Sequence, residues 1–125
     1  MTPTTTTTTG ALALIIDVDS AARTERIAST DWQTVGAIVG GWLEEISGTY
    51  EGDAWAALCD EEGQLKRLDV NAGASALARE IGWRFSSHGA LVGTVVFLGR
   101  VASGDLADVP ASVTGHARAI GILSE

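Results

Sequence analysis

The chain has 125 residues, 46% of them hydrophobic and 19% charged, and 16 acidic against 8 basic residues give a formal net charge of −8. That is the length of one ordinary domain with enough apolar material to pack it and no room for a second core. The acidic balance lacks the electrostatic footprint of a nucleic-acid or anionic-membrane binder, and a single cysteine, Cys59, excludes an intrachain disulfide.

Residues 1–10 form a threonine run without charge, expected to be a disordered tail ahead of one domain over residues 11–125. The run has neither the positive n-region nor the apolar stretch of a signal peptide, and the longest apolar runs are far short of a bilayer span, so a cytoplasmic protein is expected. Residues 12–18 are almost unbroken aliphatics ending in Asp17, Asp19 and Ser20, the pattern of a central strand buried on both faces and followed by a turn. Residues 23–28 offer a second, short strand. Thr30 and Gln33 have capping-box spacing, and Trp32, Val35, Ile38 and Val39 form a helical stripe stopped by Gly40 and Gly41.

Residues 42–46 alternate as a strand, with Trp42, Glu44 and Ile46 on one face and Leu43 and Glu45 on the other. Residues 54–59 and 65–70 flank Asp60-Glu61-Glu62-Gly63, which reads as a hairpin loop with its glycine at positive φ. Asn71 is a good N-cap for a second helix carrying Ala74, Leu77, Ala78 and Ile81 and ended by Gly82. A loop with aromatic anchors follows over residues 83–90, then a buried strand over 91–98, a loop over 102–109, and a short helix opened by Pro110. The expected fold class is α+β: a single small domain with a mixed, mostly antiparallel sheet and two or three helices.

Familiar chemistries fail one by one. The strand ending in Asp17-Val18-Asp19 resembles the first motif of haloacid-dehalogenase-type phosphatases, but Lys66 is the only lysine and no adjacent aspartate pair follows to hold magnesium. A turn, in which Asp and Ser bond their own backbone, explains those residues better. His88 beside Ser86 and Ser87 is a sequence neighbour rather than a base positioned by the fold. His116 has no second ligand at a turn's spacing, and Cys59 lies in a strand rather than at an activating helix N-terminus. No catalytic residue, metal site or cofactor is therefore expected.

Several segments together resemble the domain of unknown function family 3846, met in actinobacteria, their phages and plasmids. They are Ile16-Asp17, Gln33 leading to Val39-Gly40-Gly41-Trp42-Leu43-Glu44, Asp60 through Leu65, Asn71 with Ala74, Ala76 and Leu77, and Leu91-Val92-Gly93-Thr94-Val95. The resemblance implies a cytoplasmic accessory protein of a mobile element or its host, and no established activity. The chain departs from that pattern at Ser75, near a threonine position, and after Asn71, where no proline follows.

Two functions follow from this material. Asp31, Glu44, Glu45, Glu51, Asp53, Asp60, Glu61 and Glu62 occupy a stretch with no Lys or Arg, so the first is a non-catalytic protein that binds a basic protein partner, with Glu44, Glu45, Glu61 and Glu62 as the contact residues. The second is a small-molecule, nucleotide-like binder with a pocket around Gln33, Trp42, Glu44 and Asn71. Four tryptophans, Trp32, Trp42, Trp55 and Trp83, are expected in the core or half buried; two on one exposed face would mark an interface.

Overall fold

The computed structural model describes residues 10–19, 21–85 and 89–124. The threonine run over residues 1–9, Ser20 and the Ser86-Ser87-His88 segment lie outside the described residues. In chain order the elements are β1 (Ala11–Ile16), β2 (Ala22–Ile27), α1 (Trp32–Val39), β3 (Leu43–Tyr50), β4 (Asp53–Asp60), α2 (Ala72–Glu80), β5 (Val95–Arg100), β6 (Leu106–Ala107) and α3 (Ala111–Ala119). The strands form one sheet in the order β2-β1-β5-β4-β3, with β6 beside β5. Among the described residues every pairing is antiparallel, with three helices, so the domain is α+β as expected and its mostly antiparallel sheet contains no parallel pair there.

The aliphatic run at the start of the domain is apolar on both faces because helices cover both. Leu14 and Ile16 of β1 pack with Trp55 and Phe97 against Leu77 of α2 and Val113 of α3. Ala13 and Ile15 point the other way and pack with Leu58, Val96 and Leu98 against Val35 and Val39 of α1. Alternate residues of a strand face opposite sides, so a three-layer fold needs both sets apolar. None of the helices is long and apolar enough to cross a membrane, among the described residues.

Local chemistry corrects three sequence expectations. The Thr30–Gln33 capping box does not form. Asp31 caps α1 instead, its Oδ1 accepting from the Thr34 amide at 2.7 Å, and that bond holds the Asp31 carboxyl below the usual carboxylate range. β5 starts at Val95 rather than at residue 91, because Gly93 at φ +72° breaks the extended run.

The hairpin is the third. β4 pairs with the strand before it, from Leu43 opposite Asp60 to Tyr50 opposite Asp53, through a two-residue turn at Glu51 (φ 52°) and Gly52 (φ 85°). Residues 65–70 are not a strand; only Val70 makes a bridge, to Val92. The chain after Asp60 instead winds through a single helix-like turn. The Lys66 amide donates to the Glu62 carbonyl, Leu68 to Gly63 and Arg67 to Gln64, with Arg67 left-handed at φ 58°. That is the bonding of a helix end closed by a left-handed residue. Gly63 is not at positive φ. It is needed for space, since a Cβ there would lie 2.5 Å from Cγ2 of Val92.

Candidate functional site

Trp32 opens α1 and Trp42 immediately precedes β3. Between the helix end and that strand, Gly40 adopts φ 97° and bonds back to the Gly36 carbonyl, a conformation glycine reaches without strain. The reversal folds Trp42 back onto Trp32, and the two rings stack with centroids 5.6 Å apart and planes 19° from parallel. Both stay exposed, Trp32 at 59% and Trp42 at 62%. Trp55, by contrast, is fully buried and donates its indole N–H to the Ile81 carbonyl at 3.2 Å.

The turn after β4 supplies the remaining wall. The Glu61 amide donates to the Trp42 carbonyl at 2.7 Å, which fixes Glu61 and Glu62 beside the aromatic pair. Trp32, Gln33, Trp42, Glu62 and Lys66, with the small residues Gly36, Ala37 and Gly41, line a groove of about 480 Å³. Gly41 has to be small, because a Cβ there would lie 2.6 Å from Asp60 Oδ2 and 2.8 Å from Lys66 Nζ.

The charges of this groove are unequal. Lys66 Nζ pairs with Asp60 Oδ2 at 2.7 Å, and the buried Asp60 also accepts the Glu62 amide at 2.8 Å. The Lys66 hydrogen bond, assisted by that amide, holds the Asp60 carboxyl below its ordinary value. The ammonium is thus spoken for within the fold. Among the described residues, no hydrogen bond or ion pair engages the Glu62 carboxylate, the Gln33 amide or the two indole N–H groups.

The other residues singled out in the sequence fall elsewhere. Asn71 is fully buried, donating to the carbonyls of Ile16 and Gly93 and accepting from the Ala74 amide, so every polar atom of its side chain serves the fold. Glu44 sits opposite Cys59 on β4 and lines a different, 260 Å³ cleft with Trp83, Phe85 and Leu91. Gln33 and Trp42 therefore share a groove that Glu44 and Asn71 do not enter. Of the four proposed contact carboxylates, Glu62 lines the groove, Glu61 is the neighbouring residue whose backbone amide bonds Trp42, Glu45 is paired with Arg100, and Glu44 is on the opposite face of the sheet.

A larger hollow of about 620 Å³ involves Asp53, Arg100 and Asp108. Its charges are occupied: Asp53 by Ser112, Arg100 by Glu45, Asp108 by the Leu12 amide. Asp17 is likewise engaged, by Thr94 at 3.0 Å and Arg23 at 3.1 Å, while Asp19 accepts from the Ala21 amide in a turn. Burial pushes the Cys59 thiol up to about 11, an inert setting. No cluster of three metal-binding side chains occurs among the described residues.

Two arrangements escape a linear reading. The stacking of Trp32 on Trp42 required knowing that Gly40 turns left-handed; the Gly40-Gly41 pair between the two tryptophans was the available signal. The second is a chain in which His116 Nε2 lies 2.9 Å from Glu80 and Nδ1 lies 3.2 Å from the Tyr50 hydroxyl, joining three elements that share no local pattern.

The sequence profile of the family described as Domain of unknown function (DUF3846) matches residues 11–118, most of the chain. Neither the comparison with curated proteins nor that with solved structures produced a match.

Proposed function

This chain belongs to the DUF3846 family, and from that premise we propose that it is a non-catalytic, cytoplasmic accessory protein of a phage, plasmid or actinobacterial host that binds a basic protein partner. The observation that supports this reading is the stacked, solvent-facing Trp32–Trp42 pair beside the unpaired Glu62 carboxylate. Two large aromatics left exposed together mark a contact surface, since tryptophan dominates binding energy at interface centres. Leu65, on the turn that carries Glu62, is a further large apolar side chain left 83% exposed. Glu61, Glu62 and the net charge of −8 favour a cationic partner by steering it at a distance and suppressing acidic competitors.

A small-molecule reading draws on Gln33 and Trp42 lining the same groove. Its nucleotide form is the weaker one, because the free charge at the groove is a carboxylate, which repels a phosphate.

The test is a panel of basic peptides titrated by isothermal calorimetry at about physiological ionic strength, where long-range attraction is screened. Binding that disappears in the Trp32→Ala/Trp42→Ala protein supports the reading. Binding unchanged in that variant, or confined to nucleotides in the parent protein, would overturn it.

A further inference from the structure

We infer that the groove reads one arginine side chain of its partner, the guanidinium lying against the exposed Trp32–Trp42 stack and forking onto the Glu62 carboxylate. The inference rests on the proposed function above and narrows its partner to a chemical group.

The groove offers an aromatic face, one unpaired carboxylate and one unpaired amide side chain, Gln33. A ligand that uses all three is flat, carries a single positive charge and has several N–H donors. Guanidinium fits each point. It stacks on indole, meets a carboxylate through two parallel N–H bonds, and has further donors for the Gln33 oxygen.

An ammonium fits less well. It is a compact charge that keeps its water, and an apolar aromatic wall requires water to leave. Lys66 would oppose either cation if its charge were free, but it is held 2.7 Å from the buried Asp60. The chain's own Asp60–Lys66 pair thus leaves Glu62 as the charge that a visiting cation meets.

The indole N–H resonances of Trp32 and Trp42 in proton–nitrogen correlation spectra report occupancy directly. The probes are three blocked glycine peptides whose central residue is arginine, lysine or citrulline, the last having arginine's shape without its charge. Saturable shifts with the arginine peptide are expected, with affinity at least about fivefold weaker for lysine and no saturation for citrulline. Glu62→Gln should weaken arginine binding by about fivefold and leave the circular dichroism unchanged, since its carboxylate has no partner among the described residues. Equal affinity for lysine and arginine, or an unchanged affinity in Glu62→Gln, overturns the arginine inference while leaving a basic-partner surface standing. Indole resonances that no basic peptide moves overturn both.

Discussion

Asn71 donates its side-chain amide to the Gly93 carbonyl at 2.8 Å, and the same nitrogen reaches the Ile16 carbonyl at 2.8 Å. Its oxygen accepts the Ala74 amide at 3.0 Å and starts α2. One buried side chain therefore ties the end of β1, the approach to β5 and a helix N-terminus together. Asn71→Ala leaves buried carbonyls and an amide unsatisfied, each costing about 1–3 kcal/mol where water cannot enter. A loss of about 3 kcal/mol is expected from the shift in the urea midpoint. Asn71→Asp should be worse at neutral pH, because a carboxylate would face two carbonyl oxygens.

The Asp60–Lys66 pair makes an acid-side prediction. Asp60 titrates below its ordinary value, chiefly through the Lys66 hydrogen bond. Its contribution to stability is therefore complete above the unfolded value, about pH 4, and is lost as pH falls through the lower folded value. Lys66→Met removes the main cause and moves the acid limb of the stability curve to higher pH. At neutral pH the variant should lose about 1 kcal/mol, at the low end for a buried carboxylate because Lys66 is itself 40% exposed. Urea midpoints measured between about pH 2 and pH 7 give both readings.

How much of this was legible in the sequence depended on range. β1, α1 and α2 announce themselves through aliphatic runs, stripes and caps, because those signals act within a turn or two of chain. Residues 65–70 misled because Leu65, Leu68 and Val70 have strand-like character, yet Leu65 and Val70 lie exposed on a turn and a bridge. At the site, Trp42 and Gln33 were legible as an aromatic wall and a polar neighbour. The role of Lys66 as an internal counter-ion was not, since it depends on Asp60 reaching forward six residues from a buried strand end. Asn71 was legible as a cap, but its bonds to Ile16 and Gly93 span 55 and 22 residues.

His116 should exist as a single tautomer when neutral. Glu80 offers only acceptors at 2.9 Å from Nε2, so that nitrogen carries the hydrogen, and Nδ1 is left to accept from the Tyr50 hydroxyl at 3.2 Å. Burial, with Glu51 and Glu80 nearby, pushes the Tyr50 hydroxyl up from its usual value, so it still carries its proton in mildly alkaline solution. Long-range proton–nitrogen correlations at mildly alkaline pH should show Nε2 protonated and Nδ1 bare. Tyr50→Phe should shift the Nδ1 resonance; an unchanged Nδ1 signal would contradict the hydrogen bond.

The turn at Glu51-Gly52 contains a stabilising substitution. Both residues have positive φ, 52° and 85°, the pattern of the tight turn that matches the twist of a hairpin. Glycine adopts that region freely, whereas a glutamate there brings its Cβ close to its own backbone, at a cost of about 1 kcal/mol. Asparagine tolerates it better, so Glu51→Asn should raise stability by about 0.5–1 kcal/mol and leave the groove unaltered, the turn lying at the far end of the β3–β4 ladder from Trp42. Glu51→Pro is the opposing control. Its ring fixes φ near −65°, which this turn cannot use, so the paired strands should separate and the melting temperature fall. Thermal unfolding of the two variants side by side checks the sign, and a glutamate-to-asparagine change without gain would mean that residue 51 does not occupy the left-handed region.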